Sequence, residues 1–184
     1  MGQIKAETCE IEGLKVITPE VFGDERGYFM ETYRKDQFAE IGITGEFVQD
    51  NQSSSTRGVL RGMHFQKEFP QAKLVRVIRG RVFDVAVDLR KGSATFGRWF
   101  GVELSEENKK MFYIPRNFAH GFLVLSDEAV FTYKVDNPYA PQADGGIRWD
   151  DPDLNIQWPV TADGILTSEK DLKLPSMKDA ELFD

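Results

Sequence analysis

Short runs of Val, Ile, Phe and Tyr, separated by glycine and polar turn residues, recur through the middle of the chain. The run Val82–Leu89 shows the pattern most clearly, because one set of alternate positions is wholly apolar: Phe83, Val85, Val87 and Leu89. A period of two residues is the spacing of a β-strand with one apolar face and one mixed face. The chain is therefore predicted to be an all-β protein.

Further runs of the same character extend this series on both sides. They are Leu74–Ile78, Arg98–Leu104, Lys110–Ile114, Phe118–Leu125 and Ala129–Val135, with a turn at Ser126–Glu128 and two earlier strands at Leu14–Thr18 and Tyr28–Thr32. The two early strands could pair within the chain or with a second subunit. Many short strands separated by regular turns are typical of a β-sandwich or barrel.

Helix is scarce in the sequence. Lys35–Ile41 predicts a short helix that stops at Gly42, and a second short helix is expected to start at Ser168. Nothing marks a domain boundary, so we expect one domain over residues 1–184, with a core at about 10–175. The tail after Pro175, residues 176–184, is expected to be loosely held.

Charge and cysteine content exclude several classes of protein. The net charge of -7 argues against nucleic acid as the main partner, because such binding depends on neutralising phosphates. The one cysteine, Cys9, cannot form an internal disulfide, so a reducing cytoplasm is expected. The segment Met1–Glu12 is too polar for a signal peptide, and no apolar run approaches the roughly 20 residues of a membrane span.

The chain contains only two histidines, His64 and His120. Metal sites in related β-barrels use a His-x-His pair, but the positions two residues from either histidine hold Gly, Gln or Phe. No cysteine cluster replaces the missing ligands, so no metal is expected. Convergence of both histidines with a carboxylate is the alternative that would restore a metal site.

Each histidine lies in an apolar strand beside a glycine, where a ligand can approach the backbone closely. A buried, hydrogen-bonded core histidine is the structural alternative to a general base. Arg61 and His64 are three residues apart, and strict alternation would place them on opposite faces. If both serve one site, the strand must contain a bulge near Gly62.

Six segments carry a resemblance to a known family. They are Phe22–Thr32, Phe47–Asn51, Arg57–Gln66, Lys73–Val77, Ile114–Phe122 and Gly146–Pro152. In sequence and order they resemble the dTDP-4-dehydrorhamnose 3,5-epimerases, over roughly residues 10–175. The resemblance implies a double-stranded β-helix (a jelly-roll barrel), no metal or cofactor, and a homodimer with exchanged N-terminal strands. It also implies inversion of C3 and C5 of a dTDP-4-keto-6-deoxyglucose through enolates.

The resemblance assigns four catalytic roles. It makes His64 the base and Asp171 the carboxylate that orients its ring. It places Lys73 beside the C4 oxygen, where a cation stabilises the developing negative charge. It makes Tyr133 the proton donor on the opposite face of the sugar.

The resemblance also assigns substrate-binding residues. They are Arg26, Glu31, Gln49, Asn51, Arg61, His120, Lys170 and Asp144. Arg61 matches the residue that meets the diphosphate, for which a guanidinium fork is well suited. Asp144 stands where the family often has Glu, and its shorter side chain makes that nucleotide contact the weakest assignment.

Each assignment has a structural alternative. The residues alone favour Ser168 and Asp171 as a helix capping box, and only the resemblance reverses this preference. Lys73 could be a solvated surface lysine, and Tyr133 could be a core aromatic on the same strand face as Phe131.

Three alternative functions follow from the same residues. The nearest is an epimerase that inverts only C3 or only C5. The second is a barrel that binds nucleotide sugars without catalysis, and the third is a metal-dependent oxygenase or isomerase of similar fold. The presence of His64, Lys73 and Tyr133 favours the double epimerase over all three.

Overall fold

The computed structural model describes residues 2–183, and β-strands dominate that range. The strands are β1 Ile4–Thr8, β2 Lys15–Pro19, β3 Val21–Asp24, β4 Gly27–Met30, β5 Gln49–Thr56, β6 Leu60–Gln66, β7 Lys73–Arg79, β8 Arg81–Asp88, β9 Trp99–Ser105, β10 Met111–Ile114, β11 Phe118–Val124, β12 Glu128–Val135 and β13 Asp144–Gly146. The helices are α1 Lys35–Glu40 and α2 Glu169–Leu172, with 3₁₀ turns at Pro141–Ala143 and Ala162–Gly164. The predicted strands and both predicted helices are confirmed.

The strands form two antiparallel sheets that pack face to face. One sheet has the order β1-β2-β10-β7-β12-β5 and the other the order β13-β6-β11-β8-β9. A core cluster between them joins Val75 and Phe131 of the first sheet to Val82 and Phe122 of the second. This arrangement is a jelly-roll barrel, as expected. Strands β3 and β4 form a separate hairpin.

Strand β8 is buried on both faces. Its mixed face, with Val82 and Ala86, points into the barrel core. Its wholly apolar face, with Val85 and Val87, packs beneath the C-terminal segment. The mixed face therefore carries Asp84, which is fully buried, into the interior of the barrel.

The C-terminal tail is packed, so the expectation that it is loosely held was wrong. The ring of Phe183 lies 5.2 Å from that of Phe65, measured between centroids, and Phe183 is buried. The backbone N–H of Met177 donates to the carboxylate of Asp151 at 2.8 Å. The tail is held because it covers the outer apolar face of the five-stranded sheet, which would otherwise face water.

Strand β5 was not predicted, because its sequence, QDNQSSST, contains no apolar residue. It forms through its backbone, which pairs with β12 from Gln49 opposite Val135 to Thr56 opposite Glu128. Alternation turns its inward side chains, Asn51 and Ser53 among them, toward the space between the sheets. The strand therefore gives the barrel one polar inner wall.

Strand β6 contains the predicted irregularity. His64 pairs with His120 across the β6–β11 ladder, whereas Arg61 pairs with Phe122, so the register shifts between them. Two residues of β6 therefore oppose one of β11, which is a β-bulge, and it falls at Gly62. The bulge rotates the strand so that Arg61 and His64 line the same cavity.

No helix within residues 2–183 has the length and apolar character needed to cross a membrane.

Gly62→Ala tests whether the bulge requires glycine. Gly62 has φ of +128°, and a Cβ there would lie 2.6 Å from the Cα of Gly121. We expect the free energy of unfolding in urea to fall by about 3 kcal/mol or more. Gly23→Ala is the control, because its Cβ would meet only the carbonyl oxygen of Gly27, at 3.6 Å. Equal stability of the two variants would contradict the steric account.

Candidate functional site

A cavity of about 660 Å³ opens between the two sheets. Most of the predicted site residues line it: Asn51, Arg61, His64, Lys73, His120, Tyr133, Lys170 and Asp171. They come from strands β5, β6, β7, β11 and β12 and from helix α2. The fold therefore brings into one space residues that are more than one hundred positions apart in sequence.

His64 and Asp171 form a hydrogen-bonded pair at the cavity wall. The Nε2 atom of His64 lies 2.8 Å from Oδ1 of Asp171, and the backbone N–H of Gly62 donates to Oδ2 at 3.3 Å. Burial raises the pKa of Asp171, but the hydrogen bonds from His64, Gly62 and Ser168 outweigh it and hold the pKa below its usual value. Asp171 is therefore an ionised partner for an imidazole that takes up a proton.

Asp171 takes part both in the helix N-terminus and in the pair with His64. Its backbone N–H donates to Oγ of Ser168 at 3.1 Å, so Ser168 is the N-cap of helix α2. Its side chain turns away from the helix end toward His64. Only the serine half of a capping box forms, because the carboxylate is used in the cavity.

A second histidine–carboxylate pair lies deeper in the barrel. Nε2 of His120 is 3.0 Å from each carboxylate oxygen of Asp84. Burial raises the pKa of Asp84 and lowers that of His120, while the attraction between them opposes both shifts. Sequence reasoning did not select Asp84, although this carboxylate lies between the apolar Val82 and Ala86 on the mixed face of β8.

Lys73 extends from β7 into the cavity. Burial lowers the pKa of its ammonium to about 8, and the carboxylates of Asp84 and Asp144 oppose this shift. Its Nζ lies 6.0 Å from the ring centroid of Tyr133, and within residues 2–183 it has no hydrogen bond or ion pair. The ammonium is therefore available to a ligand and is not a solvated surface group.

Tyr133 lies on β12, in the same sheet as Lys73 and on the cavity wall opposite His64. Its ring packs at the edge of the core cluster near Phe131, with 6.1 Å between ring centroids. Burial raises the pKa of its hydroxyl, and the nearby charge of Arg61 opposes the rise. Tyr133 is both a core aromatic and a protonated hydroxyl at the cavity.

The mouth of the cavity holds further polar groups. Nε of Arg61 donates to Oγ of Ser55 at 3.1 Å, and within residues 2–183 the other guanidinium nitrogens have no hydrogen bond or ion pair. The ammonium of Lys170 donates to the carboxylate of Asp144, and the hydroxyl of Tyr139 donates to the same carboxylate at 3.4 Å. The shorter side chain of Asp144 therefore still reaches Lys170.

Gln49 borders the site without lining it. Its amide Nε2 donates to Oδ1 of Asn51 at 2.8 Å, and its Oε1 accepts from the backbone N–H of Tyr139 at 3.0 Å. Gln49 thus holds Asn51, which does line the cavity, and the loop that carries Tyr139.

Arg26 and Glu31 do not line the cavity. Arg26 is at the tip of the β3–β4 hairpin, where its exposed guanidinium is paired with Asp24. Glu31 follows the hairpin, with its carboxylate 3.6 Å from the guanidinium of Arg34. Within one chain these two predicted binding residues stay apart from the others.

The described residues do not form a metal-binding cluster. Across positions 2–183, no three His, Cys, Asp or Glu side chains come together in a way that could hold an ion. Each histidine instead has Nε2 directed at its own carboxylate.

Comparison with known proteins gives consistent matches. A family model described as dTDP-4-dehydrorhamnose 3,5-epimerase matches residues 8–179. A dTDP-4-dehydrorhamnose 3,5-epimerase of Methanothermobacter thermautotrophicus is 53% identical over 184 residues, which is 100% of both chains. A dTDP-4-dehydrorhamnose 3-epimerase of Streptomyces niveus is 43% identical, covering 94% of this chain and 85% of its own.

A solved structure also matches closely. The dTDP-6-deoxy-D-glucose-3,5-epimerase of Legionella pneumophila, in complex with dTDP-4-keto-L-rhamnose, superposes with a TM-score of 0.93. The two chains are 47% identical, and the match covers 96% of this chain and 94% of the other.

Lys73→Met tests the cost of the unpaired ammonium. Because the pKa of Lys73 is lowered from 10.5 to about 8, the folded state disfavours its charge at pH 7. We expect Met to raise the Tm by about 2–6 °C at pH 7, with the gain shrinking as pH rises from about 8 to 10.5. Lys134→Met is the control, since Lys134 is paired with Asp50 at 2.9 Å. A lower Tm for Lys73→Met would mean that the ammonium stabilises the fold.

Proposed function

The chain belongs to the dTDP-4-dehydrorhamnose 3,5-epimerase family, and we propose that it converts dTDP-4-keto-6-deoxy-D-glucose into dTDP-4-keto-L-rhamnose. The observation that carries this proposal is the His64–Asp171 pair, 2.8 Å apart, in the same cavity as Lys73 and Tyr133. These are the base, the cation and the acid that inversion next to a ketone requires.

The reaction begins with proton removal. C3 and C5 both flank the C4 ketone, so loss of either proton gives an enolate. His64 accepts the proton, and the ionised carboxylate of Asp171 stabilises the imidazolium that results. Lys73 stabilises the negative charge that develops on the C4 oxygen, because its ammonium has no competing ion pair within residues 2–183.

The reaction ends with proton delivery from the other face of the sugar. Tyr133 lies on β12, in the sheet opposite the one that carries His64. A sugar bound between the sheets therefore has the base on one side and the phenol on the other. Burial keeps the phenol protonated by raising its pKa, so it can donate to the enolate carbon.

The nucleotide diphosphate needs positive charge at the mouth of the cavity. Arg61 and Lys170 supply a guanidinium and an ammonium, and His120 adds an imidazole deeper in the wall. Asn51 supplies an amide from the cavity wall for the sugar and base, and Gln49 and Asp144 supply an amide and a carboxylate beside it. The chemistry uses only side chains, so the proposal includes no metal and no cofactor.

A second copy of the chain is the proposed partner. The β3–β4 hairpin exposes Phe22, Tyr28 and Phe29 to between 45% and 66%, which is costly for a group of neighbouring aromatics in water. We propose that this segment is exchanged with a second chain in a homodimer. Arg26 and Glu31, which lie on or beside the hairpin, would then serve the partner's site.

The domain organisation, location and partners of the chain are also proposed. Residues 1–184 are proposed to be one epimerase domain, since the chain's own C-terminal segment covers the outer face of the five-stranded sheet. A cytoplasmic location suits Cys9, which is a free thiol. The acidic net charge of -7 does not favour nucleic acid as a partner.

Epimerisation at a single carbon is the second candidate function. It is favoured by the Streptomyces niveus relative, which is named a 3-epimerase and is 43% identical to this chain. A reductase that traps the product separates the two reactions. The double epimerase yields the L-lyxo 4-keto sugar, identified by NMR after reduction, and the single epimerase yields an isomer inverted at one centre only.

His64→Ala is expected to reduce turnover by about 10²–10⁴-fold, because the general base is lost. Binding of dTDP-glucose, followed by calorimetry, should stay within about threefold of wild type, since Arg61 and Lys170 remain. A variant that retained most of its turnover would place the base elsewhere. Loss of binding together with turnover would make His64 a binding residue.

Tyr133→Phe is expected to separate proton removal from product formation. Without the hydroxyl, His64 can still exchange a substrate proton with deuterated water, and mass spectrometry should detect that exchange. Formation of the L-sugar should fall by about 10²-fold or more, because the opposite face lacks its acid. The ring still packs near Phe131, so an unchanged Tm is the control. Undiminished product formation would remove Tyr133 from the mechanism.

A further inference from the structure

Among residues 2–183, Asp84 is the fully buried carboxylate that contacts a cavity-lining side chain and has no part in the proposed reaction. It accepts from Nε2 of His120 through both oxygens, each at 3.0 Å. The ring of His120 also stacks on that of Phe131, with 6.1 Å between centroids and 22° between planes. Two independent contacts therefore fix the orientation of this imidazole.

The other ring nitrogen of His120 is free for a ligand. Within residues 2–183, Nδ1 has no hydrogen-bond partner, and it is not among the polar atoms that protein encloses without one. His120 lines the cavity, so Nδ1 opens onto the space where the substrate binds. With Nε2–H donated to Asp84, the neutral ring presents Nδ1 as an acceptor, which an anionic ligand cannot use.

The titratable groups around His120 act on its pKa in opposite directions. They are Asp84 on β8, His64 directly opposite on β6, Lys73 on β7, Tyr133 on β12 and Asp171 on α2 behind His64. Burial lowers the pKa of His120, the charges of Lys73 and His64 lower it further, and Asp84 opposes them. An arriving anion adds a second negative group on the open side of the ring.

We propose that Asp84 is a positioning residue for substrate recognition, which holds His120 ready to gain a proton at Nδ1 when an anionic group of the ligand enters the cavity. The proton comes from solvent. The resulting imidazolium donates through Nε2–H to Asp84 and through Nδ1–H to a ligand oxygen, so both charges are matched. The proposal depends on the proposed function only for the identity of that ligand, a nucleotide diphosphate sugar.

The test exploits the presence of only two histidines in the chain. Long-range ¹H–¹⁵N NMR gives the tautomer and pKa of each ring, and the His64→Ala variant, which leaves one histidine, assigns the His120 signal. The probe is dTDP-glucose, which lacks the 4-ketone and whose diphosphate does not titrate near neutrality. We expect free His120 to be the Nε2–H tautomer and its pKa to rise by about one or more when the probe binds.

Asp84→Asn keeps the shape of the side chain and removes its charge. We expect the ligand-induced rise in the pKa of His120 to disappear in this variant. If Asp84→Asn does not fold, His120→Gln tests by calorimetry whether His120 is the group that gains the proton. Proton uptake on binding, measured in buffers of different ionisation enthalpy, should then fall from about half a proton or more per chain to near zero.

Two outcomes would overturn the inference: a pKa of His120 that the probe leaves unchanged, or a rise that persists in Asp84→Asn. If dTDP-glucose does not bind at all, the substrate assignment fails, and sulfate, a dianion near neutrality, supplies the anion instead. If sulfate raises the pKa of His120 and Asp84→Asn removes that rise, the inference about Asp84 is supported although the proposed substrate is not. No rise with either anion would reject it.

Discussion

The β-bulge at Gly62 is the constraint on which the site depends. Side chains alternate along a strand, so Arg61 and His64 would otherwise face opposite sides of the sheet. The extra residue places both on the cavity, and glycine is needed on both strands for it to form. A Cβ on Gly121 would lie 2.8 Å from the carbonyl oxygen of Arg61, just as one on Gly62 would meet Gly121. The same bulge turns the N–H of Gly62 toward Asp171, so the backbone distortion also holds the carboxylate that orients His64.

The interior of the barrel contains ionisable side chains, which lower the stability of the fold and make the site reactive. A jelly roll can be filled with apolar side chains alone, yet this one buries Asp84, His120 and Asp171 beside the partly buried Lys73. Asp84 and Asp171 each have a histidine partner, because an unpaired charge in such a place is strongly unfavourable. Lys73 is the exception, because within residues 2–183 its ammonium has no hydrogen bond or ion pair and is available to a ligand's negative charge. The site is thus arranged to stabilise an anionic intermediate.

The sequence predicts the framework better than the site. Short runs rich in Val, Ile, Phe and Tyr identify β7 through β12, with period-two alternation clearest in β8, because their apolar side chains are buried by neighbours along most of their length. This pattern misses β5, whose polar side chains carry no such signal and whose structure comes from backbone pairing with β12. It misses the packed position of Phe183, because that contact joins residues far apart in the chain. The motifs indicate His64 and Lys73, whereas the role of Asp84 emerges only when β8 and β11 are adjacent.

The central claim is that one base and one acid, on opposite walls of one cavity, invert two carbons of the same sugar. Proton NMR of dTDP-4-keto-6-deoxyglucose incubated with the chain in deuterated water tests it most directly. The account predicts that deuterium replaces hydrogen at both C3 and C5 in the trapped L-sugar product. Exchange confined to one carbon would contradict the double inversion, and tight binding without exchange at either carbon would contradict catalysis by His64.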